Sequence, residues 1–180
     1  MCLDHPDAVT RVAVLDIVPT RHMFATADQA FGLAYEHWFF LAQPPDLPER
    51  MIGADPEHYL RAKIARWAGP GFAFEPDALA EYLRCFADPA TIHATCEDYR
   101  AAATIDLAHD DASYAEGHRV RCPLLALWGS RGFIARQYDP LAVWRDYADD
   151  VSGKALDGGH FLAEEAPGET AAALAGFLRG

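Results

Sequence analysis

The 180-residue chain has two lysines, Lys63 and Lys154, and its 15 basic residues face 27 acidic ones, for a net charge of −12. No basic cluster is available to neutralise phosphates, which argues against a nucleic-acid partner. Nor is there a polybasic patch for an anionic membrane surface. No apolar run approaches the ~20 residues of a membrane span. Asp4, His5 and Asp7 stand where the apolar stretch of a signal peptide would have to be. The four cysteines (Cys2, Cys85, Cys96, Cys122) show no CxxC spacing and no histidines at metal-ligand spacing. They read as free thiols in a reducing cytoplasm, with no metal site and no cofactor expected. The three serines (Ser113, Ser130, Ser152) all lie outside a GxSxG elbow, and no cysteine occupies one. Gly-rich phosphate loops and HExxH helices are absent too. The sequence therefore offers no obvious nucleophile.

What is present is a globular composition, with 51% apolar and 12% aromatic residues. One domain is the default at this length, with a core that buries about 70% of the unfolded surface. Met1–Asp7 reads as the last turn of a helix followed by a Pro/Asp break. Val12–Val18 is a short β-branched run stopped by Pro19, expected as a strand buried on both faces, with Asp16 at its C-terminal end. From residue 23 to about 119 the pattern is helical. Apolar positions at three- and four-residue spacing predict one helix over Met23–Leu41, stopped by Pro44-Pro45. Asp55-Pro56 caps a second helix, broken by Gly69-Pro70-Gly71. Pro76–Phe86 is a third, Asp88-Pro89 opens a fourth, and Thr104–Asp110 is a short fifth. A buried strand then covers 124–128, a helix Asp139–Tyr147, a strand Val151–Leu156 and a helix Pro167–Leu178. Strands alternating with helices imply a parallel α/β sheet, and the large helical block reads as an inserted lid.

His160 follows a strand and two glycines. Open parallel sheets place their ligands at that edge, and a histidine presented there can act as a general base. It could equally be a loop histidine bonded to backbone. Asp16 is an unusual carboxylate within an apolar run. At a strand end it could hold a histidine in its useful tautomer, or cap a nearby helix. His37 and Trp38 are adjacent and diverge by about 100° on a helix. Both are anion donors with apolar bodies, and so is the Tyr99 phenol. From spacing alone, an aromatic core stripe and a core tyrosine are the favoured readings.

These residues stand in segments that resemble a known family. Leu3-Asp4-His5-Pro6-Asp7, Val14-Leu15-Asp16-Ile17-Val18-Pro19-Thr20, Tyr35-Glu36-His37-Trp38-Phe39-Phe40, Ile52-Gly53-Ala54-Asp55-Pro56, Asp98-Tyr99-Arg100-Ala101 and Gly158-Gly159-His160-Phe161 occur in order. Together they resemble the fluoroacetate (haloacetate) dehalogenases of the α/β-hydrolase superfamily. The His-Trp pair is the most specific of these matches.

The resemblance implies the C-terminal part of an α/β-hydrolase sheet, with a helical cap inserted. Residues 1–20 would be the end of a helix plus a core strand, 21–119 the cap, and 120–180 the last strands and helices. It implies an aspartate nucleophile that displaces halide from a haloacetate to form an ester, which a water activated by the histidine then hydrolyses. Asp16 matches the triad acid and His160 the base. His37, Trp38 and Tyr99 match the donors to the leaving halide. Many α/β-hydrolases carry the triad acid in the turn after the next-to-last strand; the matching turn here, Gly129–Gly132, holds no carboxylate, so the resemblance implies an acid elsewhere, with Asp16 the candidate. The family's nucleophile, its substrate-gripping arginines and its oxyanion loop would lie N-terminal of Met1. The chain alone is then expected to be inactive. A small halogenated acid is the expected partner, with a homodimer possible. The alternatives are a related hydrolase of esters or epoxides, and a non-catalytic domain binding a small ligand.

Overall fold

The computed structural model describes all residues, Met1–Gly180. They form two compact units. One comprises Met1–Met23, Trp67–Phe72 and Asp110–Gly180, the other Phe24–Arg66 and Ala73–His109.

The first unit is built on three parallel strands, β1 (Val12–Leu15), β2 (Leu124–Gly129) and β3 (Val151–Leu156), in the order β1-β2-β3. Val12 pairs with Leu124, and Leu124 with Val151. The register brings the C-terminal ends of all three strands to one edge. β2 is central and almost wholly buried, because its side chains alternate between two apolar layers. Leu125 and Leu127 pack with Leu156, Leu162, Leu174 and Phe177 on one face. Leu124 and Ala126 pack with Val12, Val14, Leu141 and Trp144 on the other. A continuous apolar run is what such a strand requires. Among these 180 residues β1 pairs with β2 alone, and the strand expected to be buried on both faces is partly exposed, as Leu15 and Ile17 show. The N-terminal segment holds one α-type turn, in which His5 N donates to Met1 O at 2.8 Å, and a 3-10 turn at Pro6–Ala8 follows, where Pro6 lacks the N–H to continue the first.

Between Thr20 and Ala115, a span that includes the second unit, the regular elements are all helices. The single helix expected over Met23–Leu41 is three short ones: α1 (Thr20–Ala25), α2 (Gln29–Ala34) and α3 (His37–Leu41). Asp28 caps the second, accepting from Phe31 N at 2.8 Å. Apolar periodicity continued across the breaks, so it could not reveal them. A further helix, α4 (Leu47–Gly53), lies where none was expected, with Pro48 in its first turn. α5 (Pro56–Trp67), α6 (Pro76–Phe86) and α7 (Pro89–Ala103) begin at their prolines, and Asp88 caps α7. α8 (Ile105–Ala115) runs further than expected. Leu41, Ile52, Ile92 and Cys96 form the core, where α3 and α4 pack on α7. Back in the first unit, α9 (Phe133–Gln137) and α11 (Leu162–Glu165) are short helices without a sequence signal, while α10 (Pro140–Arg145) and α12 (Pro167–Arg179) start at predicted Asp/Pro or Pro signals.

Glu49 on α4 and Arg100 on α7 form a bidentate pair at 2.7 and 2.9 Å. The Arg100 hydrogen bonds outweigh burial and hold the Glu49 carboxyl down at about 2, from an ordinary 4.5. A carboxylate lowered on folding stabilises the fold fully above its ordinary value, and that stabilisation is lost as pH falls toward the lowered one. We expect Glu49→Gln to melt below the wild type at pH 7, with the gap closing between pH 4.5 and about 2. A gap independent of pH in thermal scans would remove the pair from the account of α4–α7 packing.

Candidate active site

Asp16 is the first residue after β1, at the C-terminal edge of the sheet. Its backbone N–H still donates to Leu127 O at 2.7 Å, in continuation of the ladder. Its φ of 50° then turns the chain into the left-handed region. Few side chains tolerate that conformation, and aspartate is one that does. The turn aims the carboxylate into the protein, where the side chain is fully buried. A buried carboxylate needs partners for both oxygens. Oδ1 accepts from Gly129 N at 2.9 Å, and Oδ2 lies 2.7 Å from His160 Nδ1. The Gly129–Gly132 turn wraps the carboxylate closely: a Cβ on Gly132 would meet both oxygens at 3.4–3.5 Å. The turn that lacks an acid thus supplies an N–H to an acid from the neighbouring strand.

His160 sits on the loop after β3, with its ring 35% exposed. Because Nδ1 faces a carboxylate, it carries the proton, which leaves Nε2 as the basic nitrogen. The exposed part of the ring makes a base reachable by water. His160 N donates to Trp67 O at 3.0 Å, and the Trp67 ring meets the imidazole edge-on at 5.8 Å. Gly159 is obligatory, since a Cβ there would stand 2.3 Å from Gly69 N. Gly129 is equally constrained, 1.8 Å from Gly159 O by the same measure. The two glycines before His160 therefore serve close backbone approach as well as a sharp turn.

Sequence reasoning missed Glu165. Its Oε2 accepts from Gly159 N at 2.7 Å and Gly69 N at 2.8 Å, and its Oε1 from Phe161 N at 3.0 Å. No local pattern marks it: a capping box would need Ser or Thr at the N-cap, which is Phe161, and its acid three residues on rather than four. Trp67 carried no signal, because its role lies in its backbone carbonyl.

In the second unit, His37 and Trp38 begin α3 and are both buried. Tyr99 on α7 meets the His37 ring edge-on at 5.3 Å and the Trp38 ring at 6.1 Å. The three expected anion donors thus lie in one aromatic cluster, with Phe24 and Phe31 against Trp38. Burial, with a contribution from Asp98, pushes the Tyr99 phenol up to about 12, so it remains a donor at neutral pH. Glu49, His93 and Glu97 also approach one another in this unit, within 4.8 Å. Arg100 already binds Glu49 and Glu97 there, so a cation occupies that cluster.

No family model matches the chain. Over 179 residues it is 41% identical to fluoroacetate dehalogenase from Burkholderia sp, covering 99% of this chain and 58% of that protein. Soluble epoxide hydrolase from Corynebacterium sp. (strain C12) is 28% identical over 172 residues, which is 91% of this chain and 56% of that protein. A solved Nostoc sp PCC 7120 protein described as an α/β hydrolase superposes with a TM-score of 0.94 at 58% identity, over 98% of this chain and 60% of that one. A Pseudomonas aeruginosa protein described as an epoxide hydrolase, solved as a mutant with bound MFA, gives 0.91 at 45% identity, over 99% and 60%. The fold is that of the α/β hydrolases. Within that class the chain resembles fluoroacetate dehalogenase, and it spans somewhat more than half the length of the curated relatives it matches.

Asp16→Asn keeps the volume but turns one acceptor into an NH2 group facing a donor. We expect a stability loss of about 1–3 kcal/mol, together with loss of the single Nδ1–H tautomer of His160 in imidazole 15N spectra. An unchanged tautomer would separate His160 from Asp16.

Proposed function

We propose that this chain carries the acid–base half and the helical cap of a hydrolytic haloacetate dehalogenase. In this reading, residues 1–20 and 120–180 belong to the catalytic α/β domain and residues 21–119 form the cap. The observation that carries it is the 2.7 Å contact between His160 Nδ1 and a fully buried Asp16. That geometry suits a base whose other nitrogen takes a proton from water. Asp16 accepts from Nδ1, fixes the tautomer and stabilises the imidazolium that forms. The water so activated hydrolyses an aspartyl ester left by halide displacement, regenerating the carboxylate and releasing glycolate. The nucleophilic aspartate and the groups that grip the substrate carboxylate belong to a segment outside these 180 residues. His37, Trp38 and Tyr99 donate to the departing halide, where N–H and O–H groups fixed by packing need no reorganisation. No residue of the chain calls for a metal or an organic cofactor in this scheme. The likeness to fluoroacetate dehalogenase over nearly the whole chain supports it.

A second reading rests on the likeness to a soluble epoxide hydrolase. There the same Asp16–His160 pair would hydrolyse an ester formed by epoxide opening. The two readings part at the cap, since an epoxide oxygen and a halide need different donors.

Two outcomes are expected. Residues 1–180 alone release no fluoride from fluoroacetate above a His160→Ala control, whereas the chain extended by its upstream in-frame sequence does, and His160→Ala then arrests it at the ester. Turnover by 1–180 alone, or a serine at the upstream nucleophile turn, would overturn the dehalogenase scheme. Separately, bromide should quench tryptophan fluorescence with a saturable component that Trp38→Phe abolishes. Identical titrations of the two proteins would remove Trp38 from the halide set.

A further inference from the structure

A carboxylate that accepts from a single backbone N–H at the start of a helix is a cap and nothing more. The Glu165 carboxylate does that for Phe161, closing a reciprocal pair in which Glu165 N donates to Phe161 O at 2.8 Å. Its Oε2 does something different. It accepts from Gly159 N and from Gly69 N, two backbone groups 90 positions apart in the chain and both outside α11. The three N–H groups therefore include those on either side of His160, at 159 and 161, and one from the loop behind it.

The packing around this carboxylate is close enough to exclude side chains. A Cβ on Gly69 would stand 2.6 Å from Glu165 Oε2, and one on Gly158 would stand 3.2 Å from Glu165 Cβ. The segment at 67–69 in turn bonds the histidine directly, because Trp67 O accepts from His160 N at 3.0 Å. Every backbone N–H from Gly158 to Phe161 is thus engaged, and two of these four are engaged by Glu165. By contrast, Asp16 holds only the ring, through Nδ1.

We propose that Glu165 is a positioning residue for His160. By bonding the peptide groups before and after it and tying them to the 67–69 segment, it fixes the backbone from which the imidazole reaches Asp16. A 2.7 Å ring-to-carboxylate contact depends on that backbone, since a shift of 1 Å at Cα lengthens it beyond a strong hydrogen bond. Glu165 touches no reacting atom, and it acts through the direction of the ring. The inference rests on the reading of His160 as the base, but its test does not need turnover.

The test uses the 180-residue chain and imidazole 15N NMR, with amide exchange as the second readout. In the wild type His160 should show one tautomer, protonated at Nδ1, and slow exchange at Gly69, Gly159 and Phe161. Glu165→Ala should mix the tautomers and accelerate exchange at all three amides by about tenfold or more, the loss of charge-assisted hydrogen bonds. Glu165→Gln, with one carbonyl oxygen left, should retain protection on one side only and give an intermediate His160 spectrum. Should the alanine variant fail to fold, the glutamine variant carries the test alone. Thr170→Val removes a buried bond to Leu162 O at the same helix pair. It should lower Tm while leaving the His160 tautomer intact, which separates positioning from stability. A Glu165 variant that lowers Tm but keeps a single Nδ1–H tautomer reduces Glu165 to a helix cap and overturns the proposal. Failure of the fluoride assay would instead bear on the dehalogenase reading and leave this result standing.

Discussion

The Asp16 carboxyl group has no access to water, and the arrangement of the sheet edge follows from that constraint. Burial of an ionised group is tolerated only where its oxygens are bonded. One oxygen takes an N–H from Gly129 at the end of β2, the other takes the imidazole presented after β3. Three strands therefore have to end together, in parallel and in register, for the carboxyl group to be accommodated. Asp16 accepts an unfavourable backbone conformation to reach that position, a cost of the order of 1–2 kcal/mol. Local strain of that kind persists only when its surroundings determine it from several directions, as Gly129, Gly132 and His160 do here.

The glycines at this edge are explained by the same geometry. Gly129, Gly159 and Gly69 lie so close to one another's backbone that no side chain fits. Their closeness lets short N–H bonds from backbone substitute for side-chain partners, to Asp16 in one case and to Glu165 in the other. Two carboxylates from distant parts of the chain thus flank His160. One sets the direction of its ring, and the other holds its main chain.

The second unit solves a different problem, that of presenting polar edges from an apolar interior. His37, Trp38 and Tyr99 contribute large apolar bodies to its packing, and each has a polar tip. Burial keeps the Tyr99 phenol protonated, so it stays a donor. Glu49 on α4 and Arg100 on α7 clamp α4 against the helix that carries Tyr99.

The central strand, the helices that start at Asp-Pro or Pro, and the two candidate residues Asp16 and His160 were legible in the sequence. Each rests on a local rule: apolar continuity for β2, a fixed proline φ for α7, an ionisable residue out of place in an apolar run for Asp16. The breaks within Met23–Leu41 were not legible, because apolar spacing persists through a capped interruption. Glu165 escaped notice because all three of its partners are backbone N–H groups, which every residue possesses and no sequence pattern marks. The sequence by itself determined which residue types were available at the sheet edge. Only the tertiary structure decided that Asp16, Gly129, His160 and Glu165 meet, because their contacts span 113 and 144 positions in the chain and depend on strand register.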